Sequence, residues 1–236
     1  KDGTCIDNKQ DAGKAYMVES RRVIMVSGAA RGMGAAIARK FHDEGWCVSL
    51  GMRTPHMPAW ADGTRVLVSR YDALDGKSEA TWVAETQARF GRIDAIVANA
   101  GIGTWKSVID ISERDMDDML EVHIKSPRRL VAAAWDQLVA CGQGRVIVIG
   151  SLSSKRVYDA DSGAYAVSKF GSLALAHAIR HAGFDHGIRS TVICPGFVKT
   201  DMVAGMMPDL KMTPPEEIGR IAHFLVTSPN EVSISE

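Results

Sequence analysis

The chain has 236 residues, 46% of them hydrophobic and 24% charged, with a formal net charge of zero. That length accommodates one sizeable buried core in an ordinary globular composition, and the balanced charge lacks the basic excess of a dedicated nucleic-acid binder. No apolar run reaches the roughly 18–20 residues needed to cross a bilayer, and the N-terminal residues lack the charged-then-apolar order of a signal peptide, so neither nucleic acid nor membrane is expected as a partner and the expected location is cytoplasmic. Cys5, Cys47, Cys141 and Cys194 are scattered without C-x-x-C spacing; reduced thiols are expected, with no disulfide framework and no metal site.

Residues 1–20 are polar and aperiodic and read as a flexible N-terminal extension or a remnant. Residues 21–236 show no linker and no repeat and read as one domain. Short apolar runs at Val23–Val26, Cys47–Leu50, Arg65–Val68, Ile93–Ala98, Arg145–Ile149 and Ser190–Cys194 predict strands. Helical segments are predicted at Gly34–Glu44, Ser78–Phe90, Arg114–Ile124, Arg128–Cys141 and Ala164–Ala182. Strands that are apolar throughout are buried on both faces, as in parallel sheets, and their alternation with helices points to βαβ units. The expected class is α/β: a Rossmann-type doubly wound parallel sheet with helices on both faces.

The first strand runs into Ser27-Gly28-Ala29-Ala30-Arg31-Gly32-Met33-Gly34, followed by a helix. Gly28 permits a tight turn, and Gly32 and Gly34 let the backbone approach a pyrophosphate and the helix approach the strand. The helix N-terminus, with Met33 in its approach, offers N–H groups and a favourable dipole to an anion. The second strand leads to Gly51-Met52-Arg53, where many NAD-binding domains place an acid for the ribose diol. Here Arg53 stands instead, with Arg31 in the loop, and two guanidinium groups suit a 2′-phosphate. NADP(H) is therefore preferred over NAD(H), unless the arginines simply face solvent. Asp72, after the third strand, either accepts a bond from the adenine amino group or only closes a turn. Ala98-Asn99-Ala100-Gly101 ends the fourth strand with small residues that let a cofactor lie across the strand ends.

Tyr165 and Lys169 are four residues apart at the start of a long helix, so they share a face. A phenol with a pKa of about 10 is a poor base at neutral pH, and an adjacent ammonium is expected to lower it. The pair then serves as a proton donor or acceptor. Ser151 follows the strand Arg145–Ile149 and is placed to hydrogen-bond a substrate oxygen near Tyr165, with Ser153 and Ser154 as competitors.

The ordered set SGAARGMG, ANAG, IGS, YAVSK and CPGFVKTDM resembles the short-chain dehydrogenase/reductase family, in its short single-domain branch, over about Val23 to Asn230. The resemblance implies a dinucleotide-binding catalytic domain acting on a small-molecule carbonyl or alcohol. Tyr165 would be the general acid/base, Lys169 would hold the nicotinamide ribose and lower the tyrosine pKa, and Ser151 would orient the substrate oxygen. Asn99 would hold the strand ends on the cofactor side. Pro195 and Gly196 would pass beside the nicotinamide, with Val198 and Thr200 at its carboxamide. It also implies a homodimer or homotetramer, pairing through the helices around 114–141 and 164–182. Two departures stand out. His123 occupies the place of a family Asn whose main-chain carbonyl serves a proton relay, so it is either a relay residue or a satisfied core histidine. The chain also stops where the family enters its last strand, so that strand is expected to be missing or disordered. His177, His181 and His186 read as surface or interface residues, and the Met202–Met212 stretch as a mobile substrate loop by family likeness. The alternatives are an NAD(H)-preferring alcohol dehydrogenase and a cofactor-binding sensor with little turnover.

Overall fold

The computed structural model describes residues 21–204 and 210–236. The expected N-terminal extension and part of the Met-rich loop lie outside the described residues. Six parallel strands form one sheet in the order β3-β2-β1-β4-β5-β6. They are β1 Val23–Ser27, β2 Cys47–Met52, β3 Val66–Arg70, β4 Ala95–Ala98, β5 Arg145–Ile149 and β6 Arg189–Ile193.

Each central strand is apolar on both sides because each faces a helical layer. Ile24, Val26, Val97 and Ile147 pack with Ile37, Phe41, Ile218 and Ala222 on one face. Met25, Ile96, Val146 and Val148 pack with Trp82, Leu130, Leu138 and Ile179 on the other. The first layer is α1 (Gly32–Asp43) with α7 (Pro215–Thr227). The second is α2 (Ser78–Phe90), α3 (Glu113–Leu120), α4 (Ser126–Ala133), α5 (Trp135–Ala140) and α6 (Gly163–Gly183). The expected doubly wound parallel sheet is thus the fold observed.

The structure amends several expected boundaries. Helix α1 begins at Gly32, so the later glycines of the loop belong to its first turn. No helix joins β2 to β3; residues 53–65 form an irregular crossing. Helix α7 was not among the expected elements, although Pro215 at its start and Glu216 and Glu217 in its first turn suit a helix N-terminus. Between α3 and α4 the chain forms a π turn, Glu121–Lys125, with His123 at its middle. Residues 228–236 are irregular and lie along β6: the Val192 N–H donates to the Ser235 carbonyl at 3.0 Å. The buried Arg145 donates to the Ser228 carbonyl and to Asn230 Oδ1, both at 2.9 Å. Among the described residues no helix is long and apolar enough to cross a membrane.

Candidate active site

Strand order reverses between β1 and β4, which opens a crevice at their carboxyl ends. The Ser27 hydroxyl accepts the N–H groups of Asn99 at 2.9 Å and Ala100 at 3.0 Å. Asn99 Nδ2 donates to the carbonyls of Ser27 at 2.9 Å and Gly28 at 3.2 Å. These four bonds hold the two strand ends together. Gly28 takes a φ of +65°, which disfavours any side chain. A Cβ at Gly34 would overlap the Gly28 carbonyl and come within 2.5 Å of Asn99 Nδ2. Gly34 thus lets α1 dock on the crevice. Among the described residues no side chain caps α1, and no acid stands in its first turn, so its N-terminus suits an incoming anion.

Two clefts open above this frame. The first, about 360 Å³, is lined by Gly28, Arg31, Gly32, Met33, Arg53, Asp72, Asn99, Gly101 and Thr200. The second, about 440 Å³, is lined by Ser151, Tyr165, Pro195, Gly196, Val198 and Thr200. Met33, Thr200 and Met202 line both, so the clefts adjoin. Most residues predicted from the sequence therefore converge on one continuous groove, while Gly34, Lys169 and His123 support it from below.

Asp72 has a turn role as well as a cleft position: its Oδ1 accepts the Leu74 N–H at 3.1 Å. Arg31 faces the cleft mouth but is paired there with Asp201, at 2.9 Å, with both side chains largely exposed. Val198 is buried and bridges to Thr213, which fixes the Pro195–Thr200 segment.

The Tyr165–Lys169 pair corrects one expectation. Burial pushes the Tyr165 hydroxyl up to about 12, while a hydrogen bond with Ser151 acts in the lowering direction. The net direction is opposite to the lowering expected from the ammonium. Lys169 is itself buried, donates to the Ile149 carbonyl at 3.0 Å, and is pushed down to about 8 by desolvation. Its Nζ lies 5.7 Å from the centre of the Tyr165 ring.

Ser151 Oγ also accepts the Ser153 N–H at 3.1 Å. Ser154 Oγ accepts the Ser151 N–H at 3.1 Å, so it fixes the turn and is fully buried. Ser153 lines the second cleft. Of the three serines, Ser151 is the one that acts on the Tyr165 hydroxyl.

His123 is buried and fully engaged. Its Nε2 accepts the Ile102 N–H at 3.2 Å, which places the proton on Nδ1, 2.9 Å from Ser168 Oγ. Ser168 in turn donates to the Tyr165 carbonyl at 2.7 Å. The His123 carbonyl accepts from the Ser172 hydroxyl at 3.1 Å. Burial foremost, and then the Lys169 charge, hold the imidazole well below its ordinary pKa. His123 is thus a neutral bracket joining the loop after β4, the π turn and α6. A Cβ at Gly101 would stand 3.3 Å from its Nε2, so Gly101 gives the ring room.

Several residues of the site went unread in the sequence. Trp105 leans on Tyr165, ring centres 4.8 Å apart at 47°, and Leu152, Tyr158 and Phe197 also line the second cleft. Single aromatics in loops carry no local pattern that marks them. Ser27, which ties two strand ends, had no signal beyond its place before Gly28.

A family model described as short chain dehydrogenase matches residues 22–211. The chain is 32% identical to agropine synthesis reductase of Rhizobium rhizogenes over 90% of its own length, and spans 50% of that relative. It is 28% identical to oxidoreductase UcpA of Escherichia coli (strain K12), covering 87% of this chain and 88% of the relative. Among solved structures it resembles an alcohol dehydrogenase from the archaeon Thermococcus sibiricus complexed with 5-hydroxy-NADP, at 28% identity and a TM-score of 0.80, covering 92% and 94% of the two chains. A metagenomic short-chain oxidoreductase in complex with NADP is 26% identical with a TM-score of 0.76, over 92% and 96% of the chains.

Proposed function

The chain belongs to the short-chain dehydrogenase family, and from that premise we propose that it is an NAD(P)-dependent oxidoreductase that interconverts a carbonyl compound and its alcohol with NADP(H), using Tyr165 as general acid/base. The observation that carries this reading is the meeting of Ser151 and Tyr165 in an apolar cleft that adjoins the cleft above the glycine loop.

The residues present fit the cofactor. The uncapped N-terminus of α1 suits the pyrophosphate, Arg31, Arg53 and Asp72 in the first cleft would meet the adenosine end, and Lys169 suits the nicotinamide ribose hydroxyls. Pro195, Gly196, Val198 and Thr200 would flank the nicotinamide. When bound, the nicotinamide supplies or accepts the hydride. Ser151 orients the substrate oxygen by hydrogen bonding. The Tyr165 hydroxyl, kept protonated by burial, gives its proton to the oxygen of a carbonyl under reduction and becomes a phenolate; under oxidation that phenolate takes the proton of the alcohol.

The test is Tyr165→Phe assayed on aldehydes and ketones with NADPH. The variant is expected to lose about 100- to 10,000-fold in kcat; activity equal to the parent overturns the assignment.

One observation favours a second reading. Arg31 is already paired with Asp201, which leaves Arg53 alone to meet a 2′-phosphate and favours NAD(H). Parallel titrations with NADPH and NADH decide between the two. Exposed Val167 and Phe170 on α6 support pairing of two copies through that helix.

A further inference from the structure

The cleft over Tyr165 carries a charge bias that carbonyl reduction itself does not require. Its walls are aromatic: Trp105 leans on Tyr165, with Tyr158 and Phe197 beside them. Two carboxylates, Asp159 and Asp161, line the same cleft, and among its described lining residues there is no Lys, Arg or His.

The carboxylates precede α6, and Tyr165 lies four residues beyond Asp161. Asp159 is fixed in place, its Oδ1 accepting the Ser162 N–H at 2.7 Å. Asp161 is exposed and has no hydrogen-bond or ion-pair partner among the described residues. Of the nearest bases along the chain, one is engaged away from the cleft and one stands at its rim. Lys155 pairs with Glu236. Arg156 lies over the Tyr158 ring at 4.5 Å and donates to its hydroxyl at 2.8 Å.

A ligand carboxylate in this cleft would face two like charges, offset only by the Arg156 guanidinium at the rim, which is already bonded to Tyr158. A ligand ammonium would meet two carboxylates and several aromatic faces, which attract cations electrostatically. Exclusion by like charge is as much a source of specificity as attraction.

We propose that the preferred substrate is a ketone or aldehyde, or the corresponding alcohol, with an apolar or aromatic body and a cationic ammonium group, and that carboxylate-bearing analogues are disfavoured. This rests on the carbonyl–alcohol reading of the same cleft.

The test uses the full chain with NADPH and three ketones of similar size: 4-(aminomethyl)acetophenone, 4-methylacetophenone and 4-acetylbenzoate. Binding is read by quenching of tryptophan fluorescence, and turnover by kcat/KM. The cation is expected to bind about tenfold more tightly than the anion, with the neutral ketone between them. Asp161→Asn and Asp159→Asn are each expected to compress that ratio by about threefold or more, and high salt to compress it further. Equal binding, no binding, a preference for the anion, or a ratio unchanged in both variants overturns the proposal. A preference for the anion that disappears in Arg156→Gln would assign the rim to Arg156 instead. Binding ordered by charge without turnover of any ketone keeps the recognition and removes the carbonyl reading. Turnover of the neutral ketone without charge order does the reverse.

Discussion

Tyr165 and Lys169 stand one helical turn apart, yet burial acts on them in opposite senses. It raises the phenol to about 12 and lowers the ammonium to about 8, because in each case it penalises the charged form. Burial therefore favours the protonated phenol and the neutral amine. If Lys169 holds the cofactor ribose as an ammonium, cofactor affinity should weaken as pH rises through about 8. Lys169→Arg should flatten that dependence, as measured by cofactor titration between about pH 6 and 10, since a guanidinium keeps its charge throughout. His123 makes the opposite demand. Its folded-state pKa lies well below the ordinary 6.5, so in acid the unfolded chain takes up a proton that the folded chain refuses. The stability tied to its neutral form is present above pH 6.5 and is lost as pH falls below it. Thermal unfolding at about pH 8 and about pH 5 should show a steeper acid loss for the parent than for His123→Asn.

At the scale of elements, the docking of α1 against β1 and β4 depends on Gly34. Gly34→Ala should lower stability by roughly 2–3 kcal/mol, read by denaturant unfolding, because its methyl must displace the Gly28 carbonyl or Asn99. Cofactor binding should fall with it. The glycine loop and all the strands were legible in the sequence for one physical reason. Strands buried on both faces are continuously apolar, and a loop that touches backbone must omit side chains, so both leave marks in consecutive residues. The pair proposed as catalytic could be picked out because Tyr165 and Lys169 share one turn of one helix. Other parts of the site are made by tertiary contact alone. Nothing near Trp105 announces that it will lean on Tyr165, and nothing around Asp201 announces a partner 170 positions earlier. The shifted tyrosine was misjudged because its pKa depends on burial, which the spacing of Tyr165 and Lys169 does not express. Helix α7 did carry a signal in Pro215-Glu216-Glu217, and it stands as an element the sequence reading passed over.

Across the whole molecule, the Arg31–Asp201 pair spans the groove, linking the glycine loop to the segment after β6. A 2′-phosphate would compete with Asp201 for the same guanidinium. Asp201→Asn should therefore tighten NADP(H) more than NAD(H), by no more than about fivefold since exposed ion pairs are weak, and the gain should fade in high salt. Parallel Kd measurements for the two cofactors at low and high ionic strength check this. An equal effect on both would separate Arg31 from 2′-phosphate recognition.

The π turn at Glu121–Lys125 has a consequence for how the gene tolerates change. A π turn holds one residue more than the α-helical turn it replaces, and each helical residue advances the phase by about 100°. Removing one codon here would regularise the helix and leave the phase of everything after it nearly unchanged. Leu130 and Leu138 would stay in their core layer, and Arg129 would keep its place beside Glu79, its buried partner at 2.9 Å. What would be lost is local: the placement of His123 and its contacts with Ile102 and Ser168. This short stretch should therefore tolerate a single-codon deletion better than the regular helix on either side of it.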